Sequence, residues 1–271
     1  MQRLLFIRLH VDGCAAEVWI NGLPVFSVGP GAPLAGRAIH EFVFAGANRV
    51  ELRVAPDRGA LVAPGEFGRL PCVAESAARA HLRLALVREG RGIDDENARV
   101  LAERGWHVGA GEPWDAPLQQ AFDVDLPVNF QRWRWPEAPL IPEPEAARPL
   151  VQRFLQQTAA QLSRGDVEGL LTAARIKIEE VAAAYQRTPA DETARLRAHL
   201  LRLHAAGALT VPAPAPGALL LRPCADGRLL DCLLTDGGPA LRALVSPEAG
   251  GAGWALPLRI ALVDKRIHVL R

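Results

Sequence analysis

The stretch that decides the architecture is WRWPEAPLIPEPEAARP, residues 133–149. Four of its prolines fall between positions 136 and 144, and a fifth is Pro149. Each proline fixes its own φ, lacks a backbone donor and disfavours a helical conformation in the residue before it. The prolines therefore predict an extended segment. Because the sequence before this segment is strand-like and the sequence after it is helical, we interpret it as a connector.

This change of pattern predicts an α+β protein of two domains. We expect an antiparallel β-sandwich over residues 1–135, a proline-rich connector over 136–149, and an α+β domain over 150–271 in which three helices precede an antiparallel sheet. A chain of 271 residues is long enough for two domains that each bury a core. Trp133 and Trp135 are the candidate interface residues. We expect both to be buried, so that the connector is a stiff strap.

The strand signals of the first half are short runs of branched and aromatic residues bounded by turn residues. Asn21-Gly22 is the strongest hairpin signal. From Arg49 to Val54, charged and apolar residues alternate, which predicts a strand with one buried and one solvated face. Such strands favour antiparallel sheets packed as a sandwich. The predicted elements are strands at 3–11, 18–20, 23–26, 40–44, 49–54, 81–87 and 119–134, and a short helix from a cap at Asp94 through Arg104.

The sequences VWING at 18–22 and FVF-x-G-x-N-x-V-x-L-x-V at 42–54 resemble the galactose-binding-like jelly rolls. These are β-sandwich accessory domains of many carbohydrate-active enzymes, and some bind sugars whereas others only pack against a neighbour. The resemblance implies a sandwich whose preferred role is packing or interaction. Sugar binding would require two exposed aromatic side chains on one face, and the candidates are Trp19 and Phe26.

The second half has the start and stop signals of three helices. Pro149 is suited to the first helical position, and that helix extends to Arg164. Asp166 is the expected cap of a second, continuous helix through Tyr185, and Thr188 caps a third helix that ends at Gly207. The predicted strands that follow are 218–222, 228–234, 240–245, 256–263 and 266–270.

This order, with RGDVEGLL at 164–171 and LVDKRIHV at 262–269, resembles the nuclear-transport-factor-2-like (SnoaL-like) cone fold. The sequence differs from that family because its second and third helices are nearly contiguous, where the family usually has a short hairpin. Members of the family are enzymes, ligand binders or interaction domains, so the fold alone does not decide the function.

The candidates for ligand binding or acid–base chemistry are Tyr185, His199 and His268, if the second domain encloses a pocket. His199 and His204 are five residues apart and do not share a helical face as a metal-binding pair would. The sequence has no G-x-S-x-G motif, phosphate loop or His-Glu-x-x-His motif. We therefore predict no catalytic residue, no metal site and no cofactor.

The net charge of +1 argues against nucleic-acid binding, which requires a strongly basic surface. No run approaches the ~20 apolar residues of a membrane span, and the four scattered cysteines are expected to be reduced thiols in a cytoplasmic protein. The predicted function is non-catalytic binding of another protein, by analogy with immunity or accessory proteins of bacterial toxin and secretion systems. A homodimer through the C-terminal sheet stays open. The alternative is a small-molecule-binding or enzymatic cone-fold domain with a pocket within 150–271.

Overall fold

The computed structural model describes residues 3–62, 70–88, 90, 93, 96, 98–126, 128–244 and 253–271. These residues form five α-helices and sixteen strands in antiparallel sheets, so the predicted α+β class is confirmed. Contacts within the chain define two units, Met1–Phe130 and Gln131–Arg271, which are called the first and second unit below. The predicted connector, 136–149, lies in the second unit.

The first unit is built almost entirely of strands. They form two four-stranded antiparallel sheets, in the orders β4-β1-β7-β8 and β10-β5-β2-β3, and a small β6-β9 pair. The strands and the one short helix are β1 Arg3–Asp12, β2 Ala15–Ile20, β3 Leu23–Val28, β4 Leu34–Ala38, β5 Gly46–Ala55, α1 Arg58–Val62, β6 Leu70–Val73, β7 Ala78–Arg88, β8 Arg99–Val108, β9 Pro113–Ala116 and β10 Leu118–Leu126.

Alternation along the strands gives the first unit its core. Leu5, Ile7 and Leu9 of β1 are fully buried, and so are Val50 and Leu52 of β5. In each strand, the residues between these positions point to the opposite face of the sheet. The two sheets therefore enclose a shared apolar layer, which makes the first unit sandwich-like.

The turns that the sequence marks are held by buried amide groups. Asn48 accepts hydrogen bonds at Oδ1 from Phe44 N (2.8 Å) and from Asn21 Nδ2 (2.8 Å), and its Nδ2 donates to the carbonyls of Phe44 and Gly46. Gly46 has φ +81° and Asn21 has φ +51°, and these are backbone conformations that favour glycine and asparagine. The Asn21-Gly22 hairpin is confirmed by the pairing of β2 with β3.

Three sequence predictions for the first unit are wrong. Residues 40–42 form a 3-10 turn instead of a strand, because the buried His40 side chain accepts a hydrogen bond at Nε2 from Leu5 N (2.9 Å). The segment 99–104, predicted as helix, belongs to strand β8, which pairs along the edge of β7. Asp94, the predicted helix cap, lies outside the described residues. The strand predicted over 119–134 ends at Leu126.

In the second unit, four helices precede a four-stranded antiparallel sheet of order β11-β12-β15-β16 and a small β13-β14 pair. The elements are α2 Pro144–Ser163, α3 Glu168–Ala173, α4 Arg175–Ala184, α5 Pro189–Ala205, β11 Leu219–Cys224, β12 Leu229–Leu234, β13 Leu241–Arg242, β14 Ala255–Leu256, β15 Arg259–Val263 and β16 Arg266–Val269. One core joins the helices to the sheet, and its fully buried members include Val151, Leu155, Leu200 and Ile260.

Two of the helix predictions differ from the structure. The first helix starts at Pro144, so Pro149 lies inside it and removes one hydrogen bond instead of occupying the first position. The helix predicted from Asp166 to Tyr185 is divided at Ala174 into α3 and α4. The third helix follows its prediction, because Thr188 Oγ1 caps α5 by accepting from Asp191 N at 3.1 Å.

Candidate functional site

A cavity of about 530 Å³ opens in the second unit beside α5, and we call it the α5 cavity. Its size is within the usual range of small-molecule sites. Helices α3, α4 and α5 form its walls together with β14, β16 and the residue before β15. The lining residues are Leu170, Ala174, Lys177, Ile178, Val181, Glu192, Arg195, Leu196, Ala198, His199, Arg202, Leu256, Leu258 and Val269.

The floor of the α5 cavity is apolar and belongs to the core. Leu170, Ile178, Leu258 and Val269 are all buried members of the hydrophobic cluster that joins helices and sheet. Most of their surface is packed against the core, so the part that faces the cavity is a small fixed apolar surface. A ligand with an apolar body gains about 25 cal/mol for each Å² of such surface that it covers.

The rim of the cavity carries a row of basic side chains from α5. Arg195, His199 and Arg202 recur at spacings of four and three residues, which puts them on one face of the helix. At a rise of 1.5 Å per residue, the row extends over ~10 Å. All three residues are exposed to solvent. The row can therefore contact a ligand, and folding of the chain does not have to bury these charged side chains.

The charges that line the cavity are mostly positive. Lys177 of α4 adds a third permanent cation to Arg195 and Arg202, whereas Glu192 is the only carboxylate among the described residues of the lining. Glu192 already pairs with Arg187 (3.1 Å) and Arg195 (3.6 Å). The cavity thus combines an apolar floor with a rim on which, among the described residues, cations outnumber carboxylates, and this combination suits an anion that has an apolar body.

The structure brings only one of the three predicted ligand residues to this cavity. His199 lines it, but Tyr185 and His268 are not among its lining residues. Tyr185 follows the last residue of α4 and has the guanidinium of Arg187 5.5 Å from its ring centroid. His268 is half-buried on β16, opposite Ala261 of β15. That Tyr185, His199 and His268 act together as acid–base groups stays a prediction. It is not favoured, because only His199 lines the cavity.

Sequence reasoning missed the cationic residues of the rim. Lys177, Arg195 and Arg202 are not among the ligand-binding residues that the sequence predicts. The sequence nevertheless contains a pattern that indicates this row, because the basic residues of α5 recur at helical spacing around His199. It was not recognised because no residue pattern revealed that an apolar cavity lies beside that face.

The candidate interface residues Trp133 and Trp135 are both buried, with 1% and 4% of their surface exposed. Their predicted burial is confirmed. The guanidinium of Arg271 lies 5.7 Å from the Trp133 ring centroid and 6.0 Å from that of Trp135. Arg271 Nη1 also donates to Glu180 Oε2, and Arg134 N donates to Glu180 Oε1. The tryptophans therefore cover a buried ion pair, and their role at an interface stays a prediction.

A second buried ionic group lies in the sheet of the second unit. Asp231 of β12 is 1% exposed; its Oδ1 lies 3.0 Å from Arg259 Nε and its Oδ2 accepts from Arg222 Nη2 at 2.7 Å. Arg222 and Arg259 flank β12 on the neighbouring strands β11 and β15. Because two guanidinium groups surround one carboxylate with little access for a ligand, we assign this group to the sheet and not to a site.

The aromatic residues of the first unit do not form the sugar platform that Trp19 and Phe26 were proposed to supply. Trp19 is buried: its Nε1 donates to Glu17 Oε2 (2.7 Å), and Arg53 lies over its ring at 3.7 Å. Phe26 is half-buried. Trp106 and Trp114 form another pair, with centroids 4.7 Å apart and rings tilted by 47°. A tilted pair is typical of rings that pack on each other.

All four cysteines are free thiols, as predicted. Burial raises the pKa of Cys14 to about 11, although its contacts with the backbone of Asp12 and Arg79 act in the opposite direction. Burial also raises the pKa of Cys232 well above its usual range, and burial with the nearby charge of Asp115 raises the pKa of Cys72. Raised pKa values leave these thiols protonated and poorly nucleophilic at neutral pH.

Within the described residues, no group of three or more His, Cys, Asp or Glu side chains is placed to hold a metal ion. In the same part of the chain, no helix is both long and apolar enough to cross a membrane. Comparison with protein-family models, with curated proteins and with solved structures finds no match for this chain. The resemblances to jelly rolls and to the cone fold therefore stay predictions.

Proposed function

We propose that the second unit is a non-catalytic binding module whose α5 cavity takes an anionic ligand with an apolar body, such as a medium-chain carboxylate. The observation that carries this proposal is the basic row of Arg195, His199 and Arg202 beside an apolar floor. Such a ligand would place its chain over Ile178 and Leu258 and its charged group at the row.

The lining favours binding over covalent chemistry. A nucleophile of the hydroxyl or thiol type needs an adjacent base, and the described residues of the lining supply neither a hydroxyl nor a thiol. The His199 side chain has no hydrogen bond or ion pair with another described residue, so no third group orients it as a general base. Apart from Glu192, the other charged groups of the described lining are the cations Lys177, Arg195 and Arg202, which are suited to attracting a carboxylate.

Isothermal titration calorimetry with dodecanoate below its micelle concentration tests the proposal. We expect binding of dodecanoate and little or none of dodecyltrimethylammonium, which has the same tail and the opposite charge. Arg202→Gln should weaken dodecanoate about fivefold, equivalent to ~1 kcal/mol, since the pair is solvent-exposed. Arg153→Gln is the matched control, because Arg153 is exposed on α2 and absent from the cavity lining. Equal binding of the two amphiphiles would contradict the proposal.

Binding of another protein is retained as a second proposal, and α5 supplies the observation that favours it. Of its 17 residues only Leu200 is buried. Ala194, Leu201 and Ala205 are exposed at positions that share one helical face, with Leu201 42% exposed. Charge complementarity with the adjacent basic row would suit a partner helix that has an apolar stripe and acidic flanks.

This second proposal is tested by a pull-down from the native host in which the natural chain and the Leu201→Glu variant are used as bait side by side. A partner of this kind must be captured by the natural chain and lost with the variant, whereas Arg153→Gln must retain it. The narrower prediction of an immunity or accessory role in a bacterial toxin or secretion system rests on the identity of that partner. A homodimer through the C-terminal sheet also stays a prediction, and sedimentation velocity decides it.

A further inference from the structure

Helix α5 packs on the rest of the second unit along a narrow apolar stripe. Leu200 is fully buried, and Leu196 and Leu203 are half-buried and pack against the core. Their spacings of four and three residues put these leucines on one face of the helix. Seven of the 20 residues of α2 are buried, whereas Leu200 is the one buried residue among the 17 of α5. Fewer buried side chains therefore hold α5 than hold α2, and regions of this kind open locally at a lower free energy than a whole folded unit.

Cavities lie on both flanks of this stripe. The α5 cavity is on the flank of Arg195 and His199. A second cavity of about 440 Å³ lies between α4 and α5, with Thr193 and Arg197 in its lining. With 3.6 residues per turn, these two residues point to the opposite side of the stripe from Arg195 and His199. Ile178 of α4 lines both cavities. Helix α5 therefore stands between two cavities and has room to move on either flank.

Both ends of α5 adjoin a residue in the left-handed backbone region. Gln186 precedes the helix with φ +54°, and Gly207 follows it with φ +69°. The chain changes direction at such residues, and residues at the ends of elements commonly act as hinges. The N-terminal cap of α5 is local, because Thr188 Oγ1 accepts from Asp191 N at 3.1 Å. The helix can therefore swing about its ends and keep its own first turn.

An ion pair joins α5 to α3 outside the apolar stripe. Arg197 Nε donates to Glu168 Oε1 at 2.7 Å, and Arg197 Nη2 donates to Glu168 Oε2 at 2.9 Å. The two side chains are 39% and 62% exposed. A solvent-exposed pair of this kind adds little stability. It can therefore hold α5 in place and still be broken and re-formed when the helix moves.

We propose that α5 is a lid over the α5 cavity, hinged at Gln186 and Gly207 and latched by the ion pair of Arg197 with Glu168. When the lid opens, the apolar floor at Ile178 and Leu258 becomes accessible to the body of a ligand. The basic row belongs to α5, so a ligand that contacts both the row and the floor holds the lid closed. The lid itself follows from the packing of α5, and only its role in ligand access rests on the binding function proposed above.

Labelling with a thiol reagent tests the lid in the full chain. Leu200→Cys places a thiol beneath α5, and Leu155→Cys places one beneath α2; both leucines are fully buried. Each rate is divided by that of the same variant unfolded in urea, and peptide mapping separates the probe from the natural cysteines. We expect Leu200→Cys to be labelled at least ~10-fold faster, because α5 opens without unfolding of the unit. Equal rates would overturn the proposal. If Leu200→Cys does not fold, Leu203→Cys probes the same stripe.

Glu168→Gln added to the Leu200→Cys chain tests the latch. It should accelerate labelling ~3-fold, since an exposed ion pair is lost. Glu145→Gln is the matched control and should leave the rate unchanged. Glu145 also lies in the first turn of a helix and accepts two hydrogen bonds from one arginine, Arg148, but both residues belong to α2. Unfolding of the whole unit would break both pairs, so equal acceleration by the two substitutions would contradict a local opening of α5.

Dodecanoate then tests the role of the lid in ligand access. If the bound ligand holds the lid closed, saturating dodecanoate should slow the labelling of Leu200→Cys at least ~5-fold. Bound dodecanoate that leaves this rate unchanged would show that the lid does not close over the ligand. If labelling is fast and calorimetry detects no binding of dodecanoate, the lid stands and the ligand proposal is wrong. If dodecanoate binds but Leu200→Cys is labelled no faster than Leu155→Cys, the ligand proposal stands and the lid is overturned.

Discussion

The two units bury their polar groups in different ways. Among the described residues of the first unit, the most deeply buried polar side chain is the neutral Asn48, which is 1% exposed and has hydrogen-bond partners at most 27 residues away in the chain. The buried carboxylates Glu41 and Glu51 of the first unit pair with arginines that keep solvent contact, whereas in the second unit both partners of an ion pair are buried. Glu180 is paired with Arg271, 91 residues later, and each is 1% exposed on its side chain.

Because of this difference, the stability of the first unit depends on residues close together in the sequence, and that of the second unit on residues far apart. The amide of Asn48 holds its turn mainly through nearby backbone groups, those of Phe44 and Gly46. A buried ion pair loses the hydration of both charges and is tolerated only when the pairing geometry is complete. The second unit therefore depends on a few distant side chains whose removal leaves a charge stranded in the core.

The largest effect that follows from this comparison is expected for Glu180→Leu. The substitution leaves the Arg271 guanidinium buried without its carboxylate and removes the acceptor of the Arg134 N–H group. The free energy of unfolding of the second unit should fall by about 3–5 kcal/mol. Native-state hydrogen exchange measured peptide by peptide assigns the loss to that unit.

Glu179→Gln is the control for this experiment, because Glu179 belongs to the same helix but pairs with Arg134 and Arg175 near the surface. It should cost less than about 1 kcal/mol. Glu180→Leu combined with Arg271→Met should recover much of the loss, since no charge is then stranded. If Glu180→Leu costs no more than Glu179→Gln, the buried pair does not support the second unit.

A smaller effect is expected in the first unit from Asn48→Ala. This change leaves the Phe44 N–H and two carbonyl groups without their partner in a buried turn. Unsatisfied groups of this kind cost about 1–3 kcal/mol each, although water can reach part of the turn. We expect a loss of about 3 kcal/mol in hydrogen exchange of the β2 and β5 peptides. Unchanged protection there would show that the turn is held by other contacts.

Features that depend on neighbouring residues were predicted from the sequence. The Asn21-Gly22 hairpin, the alternation of β5 and the Thr188 cap of α5 each depend on residues within a few positions of one another. Their geometry is determined by φ preferences and by side-chain hydrogen bonds to nearby backbone. The α+β order of the chain follows from the same local signals.

Features that depend on distant partners were not predicted. The segment 99–104 contains good helix formers, but β7 presents a free edge to it, and pairing along that edge outweighs the local preference. The helix break at Ala174, the ion pair of Glu180 with Arg271 and the α5 cavity have the same origin. Each of these features depends on tertiary packing that no short stretch of sequence specifies.

The smallest expected effect on stability comes from a buried neutral thiol of the first unit, Cys14, and it appears only at alkaline pH. Burial raises the folded-state pKa of Cys14 to about 11 from a usual value of 9.0. The unfolded chain therefore releases this proton at a lower pH than the folded chain does. The contribution to stability is complete below pH 9 and is lost as pH rises from 9 to about 11, to a limit of about 2–3 kcal/mol.

Urea unfolding followed by hydrogen exchange of β2 and β7 should show this alkaline loss in the natural chain. Cys14→Ala should lose less stability over the same interval, because it has no thiol to ionise. Equal slopes for the two proteins would mean that Cys14 ionises in the folded first unit as readily as in the unfolded chain, so that its burial does not exclude the charged form.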